Sequence, residues 1–234
     1  MKSHRDNHQF EEWNLESTAE LLARQFPSSH IWVIKPAAME IKTFSVYSNF
    51  LAWADMSRPL FGAGQNSWQH LSKLLRCAID KMNTDYEKTT ADTCTRDEIC
   101  SIFNDDLPLL IVGFSKGCVV LNQLIYDLEG TAEADFVHQV RAMYWLDGGH
   151  NGGSKVWITD EKLLRNLVAS GVEVVVHVTP YQIKDLSRPW IGREHKQFVS
   201  QMTRLGGKIT NVVHFRDEER SIENHFKVLT KLSS

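Results

Sequence analysis

Residues 107–121 read LPLLIVGFSKGCVVL, an apolar run that is broken by the pattern Gly-x-Ser-x-Gly around Ser115. The run before Ser115 is typical of a buried parallel strand, and residues 118–128 carry apolar side chains at helical spacing. A strand, a tight turn and a helix in that order predict a nucleophile elbow, which lifts a serine hydroxyl above a parallel sheet. Gly113 and Gly117 fit this prediction, because larger side chains there would collide with the neighbouring strand and helix. The alternative is an ordinary strand–turn–helix whose serine has no chemical role.

The size and composition of the chain indicate one α/β domain over residues 1–234. Hydrophobic residues make up 42% of the chain and charged residues 24%, which is enough apolar material for a sizeable core. The net charge is −3 and the sequence pI is about 6.4. Because the Lys and Arg residues are scattered as well, the composition argues against a nucleic-acid partner.

The cysteines and the hydropathy exclude two further classes of protein. Cys77, Cys94, Cys100 and Cys118 lack the paired spacing of a zinc site, so we interpret them as free thiols in a reducing compartment and expect no metal and no cofactor. No apolar run approaches the roughly eighteen residues that a membrane span requires. The first residues carry no evident targeting signal. Taken alone, the residues therefore predict a cytoplasmic protein without a membrane span.

Predicted strands and helices alternate along the chain. The predicted strands are 31–34, 107–112, 142–146, 172–178 and 209–215. The predicted helices are 14–26, 68–82, 118–128, 161–170, 194–205 and one that begins at 222. Residues 37–66 are expected to be irregular, and the polar residues 83–106 a surface excursion that does not divide the domain. This alternation predicts an α/β fold with a mostly parallel sheet and helices on both faces.

Candidate catalytic residues follow the strands, since the chemistry of such sheets lies at the carboxyl ends of strands. A serine nucleophile needs a histidine to take its proton and a carboxylate to orient that histidine, and in α/β-hydrolases these occur in the order serine, acid, histidine. His225 follows the last predicted strand and is the expected base. Asp185 follows the strand before it and is the preferred acid, and Asp147 is the second candidate. The alternatives are an exposed helical histidine and a loop or capping aspartate.

The loop after the strand 142–146 is rich in glycine and reads DGGHNGGSK over residues 147–155. It does not match the phosphate-binding pattern, and one Asp with one His makes a poor metal site. We interpret it as a tight active-site loop. Gly148 and Gly149 would let the backbone approach the serine turn or a substrate, and His150 would contact that substrate.

Several segments together resemble one family. They are IWVIK at 31–35, GFSKGCVVLNQL at 113–124, MYWLDGGHNGG at 143–153, HVTPYQ at 177–182, WIG at 190–192, EHK at 194–196 and SIENHF at 221–226. They resemble the little-characterised animal family named from chromosome two open reading frame sixty-nine, and the similarity covers nearly the whole chain apart from residues 83–106. This resemblance implies an α/β-hydrolase-like fold, a serine-hydrolase site and a mitochondrial location. Carried over by position, the site comprises Ser115, His225 and either Asp185 or Asp147. The family brings no known substrate.

The chain differs from that family at its front. Relatives carry an upstream strand and a loop of the type Phe-Pro-Gly-Asp, which in hydrolases lies near the second oxyanion donor, so we expect an N-terminally shortened fold. The first donor, the backbone N–H of Lys116, is retained. The second has no assigned residue in this chain. Loss of one such donor costs on the order of a hundredfold in rate.

The expected function is hydrolysis of a small-molecule acyl ester or thioester by Ser115, His225 and Asp185. The alternative is a hydrolase fold that binds or regulates a protein partner without catalysis, which the missing loop favours and the retained serine, acid and histidine disfavour. Five bulky side chains either line an acyl pocket or pack loop residues onto the core; they are Phe50, Leu51, Trp53, Phe61 and Trp68.

Overall fold

A computed structural model describes residues 8–40, 44–55, 58–90, 107–150 and 152–232, and within these ranges the fold is α/β. The strands are β1 (Ala38–Glu40), β2 (Phe44–Val46), β3 (Ala52–Asp55), β4 (Arg58–Leu60), β5 (Leu109–Phe114), β6 (Val140–Leu146), β7 (Glu173–Val178) and β8 (Ile209–Val213). The α-helices are α1 (Leu15–Gln25), α2 (Ser67–Thr90), α3 (Cys118–Tyr126), α4 (Ala134–Gln139), α5 (Glu161–Ala169), α6 (Pro180–Ile183), α7 (Pro189–Arg204) and α8 (Ile222–Lys227).

The central sheet is parallel and has the strand order β5-β6-β7-β8. Phe114 pairs with Leu146, and Leu146 pairs with His177, so the carboxyl ends of the first three strands lie level. Ser115 directly follows Phe114 at the end of β5, and Asp147 directly follows Leu146 at the end of the adjacent strand β6. The register of the sheet therefore brings the predicted nucleophile beside one of the two predicted acids.

Alternation along the strands gives the sheet two apolar faces. On one face, Ile111 and Met143 belong to the main core with side chains of α3, α5 and α7. On the other face, Val112 and Tyr144 pack with α1 and with the segment after α8. The prediction of a parallel sheet covered by helices on both faces is confirmed.

The residues before β5 form two small antiparallel hairpins, β1–β2 and β3–β4, and the long helix α2. The turn between β4 and α2 is held by the buried side chain of Asp127, which follows α3. Its carboxylate accepts hydrogen bonds from the backbone N–H groups of Gly64, Gln65 and Ser67 and from the Ser67 hydroxyl, at 2.7 to 3.2 Å. One side chain thus attaches the start of α2 to the end of α3.

After β5 the structure adds the short helices α4 and α6, and α7 begins at Pro189 rather than at residue 194, but the larger differences from the sequence prediction lie before β5. Residues 31–36 have no regular secondary structure, although a strand is predicted at 31–34. The segment predicted to be irregular, 37–66, contains both hairpins. Helix α2 continues to Thr90, into the predicted surface excursion, whose residues 91–106 lie outside the described ranges.

Candidate active site

Ser115 occupies a strained turn between β5 and α3. The strand ends at Phe114, a short 3-10 helix covers Ser115–Gly117, and α3 begins at Cys118. The φ angle of Ser115 is 52°, a left-handed conformation that costs a non-glycine residue about 1 kcal/mol or more. The predicted strand–turn–helix is therefore present, and its strained residue is the serine itself.

The two glycines of the pattern have different roles. A Cβ atom at Gly113 would lie 2.9 Å from the side chain of Leu121, so the strand requires glycine there. The nearest atom to a Cβ at Gly117 is the Tyr47 hydroxyl oxygen, at the ordinary contact distance of 3.6 Å. The prediction of a steric collision is confirmed for Gly113 and is wrong for Gly117.

Asp147 is the carboxylate that contacts His225. Its Oδ2 lies 2.7 Å from His225 Nδ1, and the Asp147 side chain is fully buried. Thr179 donates two further hydrogen bonds to the same carboxylate, one from its backbone N–H at 2.7 Å and one from its hydroxyl at 2.6 Å. Three donors from two elements fix the orientation of this acid.

His225 lies on α8, whose N-cap is Ser221. Because a carboxylate can only accept, His225 Nδ1 carries the proton and Nε2 is left as the basic nitrogen. The imidazole ring is packed between Phe114 and Tyr181, whose ring centroids lie 4.7 and 4.8 Å away. Burial and these two rings hold the histidine in one orientation.

Asp185, the preferred acid of the sequence analysis, has different partners. Its Oδ2 lies 2.8 Å from the Arg188 guanidinium and 3.2 Å from that of Arg220. Arg220 also donates to the backbone oxygen of Tyr181 at 2.8 Å. The expectation that Asp185 orients His225 is therefore replaced by a pairing of His225 with Asp147, because the register of β6 brings Asp147 beside the serine turn.

The serine and the histidine border one open cleft, which has a volume of about 1800 Å³. Among the residues that the structure describes, no hydrogen bond joins Ser115 Oγ to His225. Lys116 also borders this cleft, and its ammonium group lies over the Trp53 ring at 4.7 Å from the centroid. Burial lowers the pKa of the Lys116 side chain.

The glycine-rich loop packs tightly beside the serine turn. The Gly149 N–H donates to the Ser115 backbone oxygen at 3.4 Å, and a Cβ at Gly148 would lie 3.2 Å from Cys118. His150 accepts from the Gly152 N–H at 3.0 Å through Nδ1 and lies 3.2 Å from the Lys155 oxygen through Nε2. Both ring nitrogens of His150 therefore stabilise the loop, and Gly149 and His150 also border the cleft, so the expected contact between His150 and substrate stays a prediction.

The five bulky residues considered for an acyl pocket lie in different places. Phe50 borders the cleft. Leu51 and Trp68 are buried in the main core, Phe61 stacks on Tyr126, and Trp53 covers Lys116. The packing alternative is thus the better description for most of this group.

Three residues at the site have no counterpart in the sequence analysis. Thr179 binds Asp147, Tyr181 packs on His225, and Tyr47 places its hydroxyl against Gly117. A signal exists for Thr179 and Tyr181, since the sequence Thr-Pro-Tyr directly follows a predicted strand and reads as a helix start. Tyr47 lies in a segment with no clear periodicity, so its position depends on tertiary structure.

A family model described as C2orf69 matches residues 1–107 and 79–208 of the chain. The chain belongs to the C2orf69 family. It is 37% identical to the human mitochondrial protein C2orf69 over 266 aligned residues, which cover 97% of this chain and 69% of the relative. The Danio rerio homologue is 42% identical over 93% of this chain and 64% of the relative. No solved structure matches the chain.

These names agree with the family and the location implied by the resemblance, since the relatives are called mitochondrial proteins. None of the helices in the described ranges has both the length and the apolar composition needed to cross a bilayer. Within the same ranges, no three His, Cys, Asp or Glu side chains are grouped as metal ligands.

Proposed function

We propose that this C2orf69-family chain is a mitochondrial serine hydrolase of the α/β-hydrolase type, which acts on an acyl ester or thioester. The observation that carries the proposal is the 2.7 Å contact between Asp147 and His225. Asp147 follows β6 at the carboxyl end of the parallel sheet, and the strained Ser115 follows the adjacent strand β5. A buried carboxylate with a histidine on one oxygen, at the strand ends beside a serine in this conformation, supports the proposal of a catalytic triad.

The proposed reaction uses only these side chains and water. Ser115 Oγ attacks the acyl carbonyl carbon while His225 Nε2 takes the hydroxyl proton, and the C–O or C–S bond to the leaving group then breaks. The leaving group receives the proton from His225, which leaves an acyl ester on Ser115. Water, deprotonated by the same histidine, then attacks the acyl carbon. The bond to Ser115 Oγ breaks, His225 returns the proton to this oxygen, and the carboxylic acid is released. Asp147 stabilises the imidazolium that forms twice in this cycle.

Two groups are proposed to stabilise the oxyanion. The backbone N–H of Lys116 follows the nucleophile directly, which is the usual place of the first donor. The Tyr47 hydroxyl borders the same cleft and lies against Gly117, and burial raises the pKa of Tyr47, so the phenol stays protonated and can donate. We therefore assign Tyr47 as the candidate for the second donor.

The second candidate function is a binding or regulatory protein that uses this fold without catalysis and takes a protein partner. It is favoured by one observation, namely that Ser115 Oγ and His225 share no hydrogen bond among the described residues. Catalytic hydrogen bonds are often long in unliganded sites and tighten in the substrate complex, so the hydrolase remains the first proposal.

Labelling with a fluorophosphonate probe, followed by peptide mass spectrometry, distinguishes the two functions. We expect the probe to add to Ser115 and labelling to be lost in Ser115→Ala. Ser28→Ala is the matched control, because Ser28 also borders the cleft and should leave labelling unchanged. A folded wild-type protein that does not react would instead support the binding function.

A further inference from the structure

The cleft that contains Ser115 continues far beyond the reacting groups. Its lining includes every residue of β5 except Gly113, and the outer edge of this strand pairs with no strand in the described part of the chain. Six residues of strand span about 20 Å. The cleft therefore extends from Ser115 along the edge of the sheet, and this part of it is called the channel below.

Exposed apolar side chains are concentrated in this cleft. Of the ten large hydrophobic side chains that are exposed in the described ranges, seven line it; they are Leu15, Trp32, Ile34, Met39, Phe44, Leu107 and Leu110. Contiguous apolar surface of this kind marks a binding site more often than chance exposure does. The cleft thus has the walls of a site for an apolar ligand.

Several parts of the chain provide these walls. Helix α2 contributes Leu74 and Leu75, strand β5 contributes Leu110, and the irregular segment 31–36 contributes Ile34, beside side chains of α1 and of the β1–β2 hairpin. The reacting end is different, since Ser115 lies there together with polar groups of the site. An apolar channel with a nucleophile at one end fits a chain-shaped substrate whose carbonyl group is at its terminus.

We propose that this channel binds a long, unbranched acyl chain, so that the substrate is a long-chain acyl ester or thioester. This inference rests on the proposed function for the role of Ser115. Each methylene group that the channel buries strengthens binding by up to roughly fourfold. Long chains are therefore bound and hydrolysed in preference to short ones.

Binding can be measured without catalysis in Ser115→Ala, with the fluorescent fatty acid cis-parinaric acid as the probe. We expect saturable binding that is weakened at least tenfold by Leu110→Glu and by Ile34→Glu. Both side chains are already exposed, by 43% and 39%, so these changes should not prevent folding, which thermal unfolding checks. Leu186→Glu is the control, because Leu186 is 92% exposed and lies outside the cleft.

Absence of binding, or binding that both glutamate variants leave unchanged, would overturn the proposed channel. The former result would instead favour a polypeptide strand as the partner of the outer edge of β5.

Hydrolysis by the wild-type protein provides the second readout. We expect kcat/KM for the hexadecanoyl ester of p-nitrophenol to exceed that for the butanoyl ester at least tenfold. Parinaric acid binding without any hydrolysis would refute the proposed function and leave the channel intact, whereas hydrolysis that prefers the butanoyl ester would refute the channel alone.

Discussion

At the scale of single residues, His150 shows how the loop beside Ser115 is stabilised. The pKa of His150 is lowered to about 4, mainly by burial and to a smaller extent by the nearby Lys116 and Arg188, while the hydrogen bond to the Lys155 carbonyl opposes this shift. The native protein therefore holds this ring neutral. Its two hydrogen bonds fit that state, since the Nδ1 atom accepts and the Nε2 atom can only donate to a carbonyl.

This neutral histidine makes stability depend on pH. Between about pH 6.5 and 4 the unfolded chain binds a proton that the native chain does not, so the free energy of unfolding falls as the pH falls through this window. The loss of free energy of unfolding due to His150 across this window is roughly 2 to 3 kcal/mol.

We expect His150→Gln, whose amide can replace both hydrogen bonds, to lose less stability than the wild-type protein between pH 7 and pH 4.5 in urea titrations. His138→Gln, on the exposed face of α4, is the control, and equal pH dependence of wild type and His150→Gln would contradict this account.

The candidate acid could be predicted from the sequence only as a pair of alternatives. Both Asp147 and Asp185 follow buried strands, and the order of residues along the chain does not say which one faces the last helix. The partners decide: Thr179 and His225 surround Asp147, while Arg188 and Arg220 neutralise Asp185. Except for the contact between Asp185 and Arg188, these contacts join residues that are far apart in the sequence. The pattern of neighbouring residues therefore could not reveal them.

At the scale of elements, Asp127 connects α2 to α3 and gives a test of how the residues before β5 are attached. Its buried carboxylate accepts from the backbone of the turn at Gly64 and Gln65 and from Ser67. We expect Asp127→Ala to reduce the free energy of unfolding by about 2 to 4 kcal/mol, because buried N–H groups would be left without acceptors. Urea denaturation measures this change.

The control for that measurement is Asp55→Ala in the β3–β4 hairpin. Asp55 is exposed, accepts a hydrogen bond from the backbone N–H of Arg58 and lies 3.8 Å from the Arg58 guanidinium. Its loss should cost less than about 1 kcal/mol. An equal effect of the two substitutions would mean that the attachment of α2 does not depend on Asp127.

The strands and helices that the sequence predicts correctly are those that their own pattern of apolar residues identifies. Strands β6 and β7 are largely buried and read as apolar runs, as does the edge strand β5, and the helices between the strands carry apolar residues at helical spacing. Residues 31–34 have the same apolar character and yet form no strand in the structure, although they border the same cleft as the edge of β5. The two hairpins lie in short segments without periodicity, where turn residues and tertiary contacts decide the fold.

At the scale of the whole molecule, the sheet register and the helix after β8 bring distant residues into one site. Ser115, Asp147 and His225 come from three distant regions of the chain. Ser115 and Asp147 directly follow β5 and β6, and His225 lies on α8, the helix after β8, so all three are at the same edge of the sheet. The α/β class could be predicted because strand and helix alternate. The cleft along β5 could not, since it depends on how the segment 31–36 and helix α2 are placed against the sheet edge.

The central claim is that Asp147 orients His225, which in turn activates Ser115. It is tested most directly by the second-order rate of fluorophosphonate labelling in Asp147→Asn and Asp185→Asn, each compared with the wild-type protein at matched fold stability. We expect Asp147→Asn to lower the rate by about 10³- to 10⁴-fold, because an amide favours the wrong histidine tautomer. Asp185→Asn should change the rate less than about tenfold. A larger loss in Asp185→Asn than in Asp147→Asn would contradict the assigned triad.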